Sequence, residues 1–218
     1  MRKLGLLAVM VITILSVPAA ARAQACLGSV SFATVPVRLG GGMVFGKDYT
    51  GYAASINAGK DNAAFGALGV SRIYFDDLDD TGDDIFAELG YQRPVGTSAQ
   101  LCPVVGLAVG TGPEDAGIDR SRFASAGLAL GVTLRPTPTI KIIPNGSLRF
   151  EYVSSDFTSV FGDEETASDN SGLAGLGLGL IFFRDRLSIQ PTVQFPFAAD
   201  NNDVSYGLAI SIGFAVKR

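Results

Sequence analysis

The densest group of possible metal ligands in the chain is an acidic stretch, residues 76–84, in which six of nine residues are aspartate. Carboxylate oxygens at alternating positions are ligands that calcium prefers, which makes Asp77, Asp79 and Asp83 candidate calcium ligands. The stretch lacks the full EF-hand pattern and its closing glutamate. Its composition therefore favours a solvated acidic loop over a calcium site.

Other chemistry is narrowed by what the sequence omits. The chain has no histidine and only two cysteines, which excludes histidine-based triads and dyads and makes a zinc site implausible. A Ser–Lys or paired-carboxylate enzyme would need no histidine, but no motif marks one. We therefore predict a protein that is not an enzyme, with no catalytic residue and no cofactor.

The first 23 residues are predicted to be a secretory signal peptide. Arg2 and Lys3 are followed by an apolar run, residues 4–17, and then by the A-x-A cleavage pattern at residues 21–23. The run is shorter than the roughly 20 residues that a membrane-spanning helix needs. The alternative to a cleaved signal peptide is an uncleaved membrane anchor. Removal of three basic residues leaves 14 basic and 21 acidic residues, a net charge of −7. That sign argues against a nucleic-acid partner.

The rest of the chain alternates between large apolar and small or polar residues, the period of a β-strand. In the last such run, residues 203–216, large side chains occupy the even positions from Val204 to Val216, and only Ser, Gly and Ala lie between them. Large residues on one face suit lipid, and small ones suit the cramped inside of a barrel. We predict ten strands of this kind, at residues 35–46, 49–59, 63–75, 85–95, 99–110, 123–135, 139–154, 172–183, 187–197 and 203–216.

Two strands break the pattern. In the third, Phe65, Ile73 and Phe75 alternate out of phase with Leu68, Val70 and Tyr74, and a β-bulge is predicted to reconcile them. In the seventh, the Pro-Asn-Gly sequence at residues 144–146 predicts a bulge or a bend. The first strand is predicted to turn Val35 outward.

The connections alternate in length, except for the brief Lys47-Asp48 at the first long-loop junction, and this alternation predicts an up-and-down order of strands. Short turns (60–62, 95–98, 135–138, 184–186) alternate with longer polar loops (76–84, 111–121, 155–171, 198–202). The predicted fold is an all-β, closed, antiparallel up-and-down transmembrane β-barrel over residues 35–218, with ten strands and eight as the alternative. The short turns are assigned to the periplasmic side. Aromatic residues are predicted to form girdles at the two rims: Phe45, Tyr52, Tyr74, Phe86, Phe123, Tyr152, Phe197 and Tyr206 at one, and Tyr91, Phe182 and Phe214 at the other.

Four charged residues fall on the inward face of these strands: Arg38, Glu88, Arg149 and Glu151. Single charges in a narrow lumen are costly, so opposite signs are expected to pair. The pattern favours a salt-bridged structural plug over a polar constriction that tunes a small pore.

The two cysteines of this exported chain predict one disulfide, with two free thiols as the alternative. Cys102 faces inward close to a short turn, and Cys26 lies nine residues before the first strand, within reach of an extended segment. Residues 24–34 are therefore expected to fold into or across the mouth of the barrel and to narrow any pore.

Taken together, the signal, the alternation, the unequal loops and the final strand 207–214 resemble those of the small OmpA/OmpX-type outer-membrane β-barrel family. The resemblance implies a Gram-negative outer-membrane location, contact with outer-membrane lipid and the barrel-insertion machinery, and a monomer. The chain departs from that family by ending on Lys217 and Arg218 and by having ten strands where the smallest members have eight.

The predicted function is that of an integral outer-membrane barrel with a structural, surface-interaction or narrow passive-pore role. The alternative is an exported soluble barrel that carries a small apolar ligand in the manner of a lipocalin. A soluble carrier needs its bulky apolar residues inside the barrel, whereas here the charged and small residues occupy the predicted inner face.

Overall fold

A computed structural model describes residues 25–29, 32, 35–76, 81–112, 118–137, 139–158, 164–197 and 203–214. These residues contain eleven β-strands after a short 3₁₀ helix, Ala25–Leu27. The strands are β1 (Val37–Phe45), β2 (Tyr49–Gly59), β3 (Ala64–Phe75), β4 (Thr81–Tyr91), β5 (Arg93–Val95), β6 (Ala99–Thr111), β7 (Ile118–Val132), β8 (Lys141–Thr158), β9 (Glu164–Phe182), β10 (Leu187–Pro196) and β11 (Ser205–Phe214). No helix within the described ranges has the length and hydropathy to cross a bilayer.

The strands form a single closed antiparallel ring. Each strand pairs with its neighbours along the chain, and β1 pairs with β11 to close the circle, with Leu39 opposite Ile212. After β4 the chain passes through Gln92 and continues as the short β5, and both pair with β6 in one register. Strands β4 and β5 are thus one interrupted strand, and the predicted ten-stranded up-and-down barrel is confirmed.

The two faces of the wall differ in the way that the alternation predicted. Large apolar side chains point outward and remain exposed, as Leu107 does at 64%. Their strands carry small residues between them, and those residues face the interior, called the lumen below. A continuous apolar belt of this size would be an aggregation hazard in water, whereas it matches the hydrocarbon of a membrane.

The predicted bulge in the third strand is wrong. Strand β3 pairs with β2 and β4 without a change of register. Leu68, Val70 and Tyr74 are exposed, whereas Phe65 is buried on the lumen side. Phe65, Ile73 and Phe75 are inward-facing residues in regular alternation, and the lumen near Phe65 is filled by another part of the chain.

The predicted irregularity at residues 144–146 is also absent as a register shift. Pro144 pairs opposite Leu178 of β9 in an unbroken register. On the side of β7, the ladder stops at Gly131 and Asn145 and returns as a bridge between Leu134 and Ile142, in the same register. Proline has no N–H group to donate to a ladder, which is consistent with the gap.

Several strands are longer than the sequence predicted. Strand β8 runs to Thr158 and β9 starts at Glu164, so most of the predicted loop 155–171 is paired β-structure. Strands β4 and β7 likewise start four to five residues early. Polar contacts support these extensions: Arg122 lies 2.7 Å from Asp156, which also accepts a 3.0 Å hydrogen bond from Thr166. Polar side chains cover both faces here, so the alternation that marks a strand disappears.

Candidate functional site

The lumen is blocked at the short-turn end by the segment before β1. The described part of this segment, Ala25–Ser29 with Phe32 and Val35, is called the plug. A disulfide joins Cys26 of the plug to Cys102 on the inner face of β6, with 5.8 Å between their Cα atoms. This is the pairing that the sequence predicted. Both cysteines are buried, Cys102 completely.

An aromatic contact holds the plug against a second strand of the wall, β3. The ring of Phe32 lies 6.1 Å from the ring of Phe65, and the guanidinium of Arg38 lies 4.0 Å from the Phe32 ring centre. Phe32, Phe65 and both cysteines belong to one buried apolar cluster with Val104 and Ala129. A cation over an aromatic face is favourable, so one inward charge, Arg38, stabilises the plug.

Inward-facing glycines provide the space that the plug occupies. A Cβ atom on Gly59 would lie 2.7 Å from the Phe32 ring, and one on Gly213 would overlap Val35. A Cβ atom on Gly179 would overlap the backbone of Gly28. These contacts correct the predicted outward orientation of Val35, which is buried inside the barrel.

A ring of buried inward-facing residues surrounds the plug. Nine of the ten strands, counting β4 and β5 as one, contribute a buried inward residue at this end: Arg38, Phe65, Gln92, Cys102, Ala129, Ile143, Ile181, Ser188 and Gly213. On the remaining strand, β2, the Phe32 ring lies over Gly59. These residues are each less than 9% exposed, so the described residues leave no open channel at this level.

Above the plug the lumen widens into two chambers. The lower one, of about 320 Å³, lies on Leu27 and Ser29 of the plug and is lined by polar residues. The upper one is about 620 Å³ and includes Arg149 and Glu151 as well as apolar residues such as Phe123. Both linings share Gly42, Ala53 and Ala209, so the chambers meet at the level of these small residues. The lumen is a blind pocket that is closed at the short-turn end.

Two of the four predicted lumen charges form an ion pair. Arg149 of β8 reaches Glu88 of β4, with 2.8 Å between Nη2 and Oε2. The strands between them place Gly127 and Gly106 at the positions that Arg149 must cross. Glu151 lies two residues further along β8 and is partly buried. Arg149 and Glu151 therefore lie in the wall of the upper chamber, whereas Arg38 lies against the plug.

The predicted aromatic rim is partly correct. Phe45, Tyr52, Tyr74, Tyr152, Phe197 and Tyr206 are exposed on the outside near the long-loop end. Phe86 and Phe123 instead face the lumen: Phe86 lies across inward-facing Gly69, and Phe123 lines the upper chamber. Both rings fill interior volume. The presence of an aromatic residue near the end of a strand does not by itself distinguish an interior position from one at the lipid surface.

The candidate calcium ligands lie only partly in the described residues, which exclude Asp77 and Asp79. Asp83 lies in β4 and accepts two hydrogen bonds of 2.6 Å from Arg72. No group of three or more carboxylate or cysteine ligands comes together in the part of the chain that the structure describes. Calcium binding by this stretch stays a prediction.

Similarity to known proteins is limited to solved barrel structures. No family model and no curated protein matches the sequence. The β domain of the Bordetella autotransporter BrkA matches with a TM-score of 0.49 and 13% identity over 83% of this chain and 100% of that domain. The translocator domain of the autotransporter NalP from Neisseria meningitidis gives 0.47 and 14%, over 82% and 88%. The N-terminal barrel of Pseudomonas aeruginosa OprF gives 0.36 and 12%, over 82% and 96%. Identities and scores this low carry no statement about function.

Proposed function

We propose that this chain is an integral, monomeric outer-membrane barrel with a structural or surface-interaction role, without catalysis, and that its oxidised form does not conduct solutes. The observation that carries the proposal is the ring of buried inward residues around the disulfide-linked plug. A passive channel needs a continuous file of water, and at this level the interior is packed like a protein core.

The outer surface supports the membrane location. Leu89, Leu107 and Phe150 are all more than 60% exposed and belong to a belt that surrounds the barrel. A soluble carrier of apolar ligands would need these side chains inside. Its pocket would also be oily, whereas the lower chamber here is lined by Ser55, Asn57 and other polar groups. The lipocalin-like alternative is therefore not favoured.

A narrow passive pore is the second candidate, and the chambers favour it. About 620 Å³ and 320 Å³ of space lie above the plug, so displacement of the plug would remove the closure that the described residues form at the short-turn end. This pore would depend on the N-terminal segment and not on the ten-stranded wall.

Planar-bilayer recording tests the proposal. Oxidised wild-type protein is expected to insert without steady conductance, whereas the Cys26→Ser, Cys102→Ser double variant is expected to show channel openings as its untethered plug leaves the lumen. Heat-modifiable gel mobility verifies that both proteins are folded barrels. Steady open channels in the oxidised wild type would show that the plug does not seal the lumen.

A further inference from the structure

Exposed charges are distributed unequally between the two ends of the barrel. Among the described residues, the short-turn end exposes five basic ones: Lys60, Arg93, Arg135, Arg184 and Arg186. Of the two acidic residues described at this end, Asp185 is buried and bonded to Lys141, and only Asp61 remains. At the long-loop end the described acidic residues outnumber the basic ones. The short-turn end is therefore positive although the whole chain is negative.

Two of these arginines border an apolar depression. It has a volume of about 870 Å³ and lies at the turn between β9 and β10, where its lining extends from Ile140 and Phe182 of the wall to Val35 of the plug. Phe182, Phe183 and Ile140 form its apolar side, and Arg184 and Arg186 form its basic side. Phe183 is 71% exposed, an unusual degree of exposure for a phenylalanine.

The turn that presents these side chains has an uncommon backbone. Phe183, Arg184 and Asp185 have φ values of 53°, 56° and 73°, so three consecutive residues other than glycine are left-handed. Such residues cost free energy and persist only where their surroundings fix them. Here the Asp185 carboxylate accepts a 2.6 Å bond from Lys141 Nζ, and the Arg186 N–H donates to the Phe182 carbonyl at 3.2 Å. The turn is thus fixed in a shape that directs Phe183 and Arg184 outward.

We propose that this depression binds the headgroup of an anionic phospholipid in the leaflet at the short-turn end. Arg184 and Arg186 contact the phosphate, since guanidinium groups bind phosphate oxygens with directed hydrogen bonds. Phe182 and Ile140 contact the start of the acyl chains, because they continue the apolar belt of the wall. Phe183 lies at the level between headgroup and chain, where exposed aromatic residues are stable.

Charge and position select this occupant over others. A soluble anion would make no contact with the apolar side of the depression. A zwitterionic lipid has no net charge, so two arginines would strengthen its binding less. The site rests on the proposed membrane location but not on the closed lumen, so its test uses lipid retention and not conductance.

Native mass spectrometry of the full chain, folded in detergent micelles, measures how much lipid it retains. Phosphatidylglycerol and phosphatidylcholine with the same acyl chains are added in parallel. The wild type is expected to retain the anionic lipid more strongly, and Arg184→Gln with Arg186→Gln is expected to weaken its retention by about 30-fold, since each basic residue near an anionic surface strengthens binding roughly fivefold.

The matched control is Arg93→Gln with Arg135→Gln, which removes two exposed arginines from the same end outside the depression and is expected to change retention less than about twofold. Heat-modifiable mobility verifies folding of each variant. Equal losses in the two double variants would replace the site with diffuse charge attraction and overturn the proposal. It is also overturned if the wild type shows no lipid preference, or if inorganic phosphate displaces the lipid.

Discussion

The backbone of Gly28 lies against the inner face of β9 at the point where a side chain on Gly179 would begin. Two glycines thus let the plug approach the wall at backbone distance. Gly28 itself has a φ of 63°, a left-handed conformation that glycine adopts without strain. The seal of the lumen depends on this contact as well as on the disulfide.

Replacement of Gly179 by valine is expected to displace the plug. The wall cannot move away, because β9 is paired on both sides, so the plug has to move. The buried disulfide then becomes accessible, and its reduction by dithiothreitol is expected to accelerate at least about tenfold in a thiol-labelling gel assay. Gly175→Ala is the control, since its Cβ would meet only the flexible side chain of Ser147. Equal reduction rates in the two variants would mean that Gly179 does not seat the plug.

Replacement of Phe32 by alanine is expected to lower the free energy of unfolding by about 3 kcal/mol, the usual cost of deleting a fully buried aromatic side chain. The loss includes the contact with Phe65 and the cation–π contact with Arg38. Urea titration of the protein in micelles, followed by gel mobility, measures the change. Phe183→Ala, at a phenylalanine that is 71% exposed, provides the comparison and is expected to cost less than about 1 kcal/mol. Similar losses in the two variants would be inconsistent with a packed plug.

The Glu88–Arg149 pair is expected to show a coupling free energy of about 1 kcal/mol in a double-mutant cycle built from Glu88→Gln and Arg149→Gln. Its side chains are 22% and 31% exposed in the lumen wall, so water screens the pair only in part. The Arg72–Asp83 pair on the outside, with exposures of 52% and 50%, is the control. Its coupling is expected to be smaller and to fall further in high salt. Zero coupling at Glu88 and Arg149 would show that the two charges act independently.

An arginine in the middle of the outer belt distinguishes a membrane barrel from a soluble one. Leu107→Arg is expected to destabilise the barrel in lipid by about 2–4 kcal/mol, the cost of a charge at the lipid face of a barrel. Thr111→Arg, two residue pairs further along the same face of β6 and above the belt, is expected to cost less than about 1 kcal/mol. Unfolding in urea from lipid vesicles measures both. Improved solubility of the Leu107→Arg variant without lipid would instead support the alternative of a soluble, lipocalin-like carrier.

The wall of the barrel was largely predictable from the sequence, and its interior was not. Every second residue of β11 is large, and the period of two alone assigns those residues to one face. The inward orientation of Phe65, Phe86 and Phe123 could not be predicted in the same way. A large residue inside a barrel is stable only where other groups fill the space around it. The partner of Phe65 is Phe32, which comes from a segment with no periodicity of its own.

The candidate site was predictable only where the residue types left a single possible bonding partner. Cys26 had one possible disulfide partner, so the tether and the mouth that it closes followed from the sequence. Gly179 carried no such signal, since it is one of several glycines in β9 and only the close approach of Gly28 distinguishes it. Pairing between Arg149 and Glu88 was expected because their charges are opposite. The route of the Arg149 side chain past Gly127 depends on the register of neighbouring strands.

The tether between Cys26 and Cys102 spans 76 residues of sequence. Strands β1 to β5 and the start of β6 lie inside that covalent loop, and β7 to β11 lie outside it. A polypeptide oxidised before insertion therefore enters the membrane as a covalently closed loop followed by a linear segment. The strands within the loop must then insert while its two ends are joined. A polypeptide oxidised afterwards inserts as a linear chain, so the order of oxidation and insertion decides the covalent topology of the inserting chain.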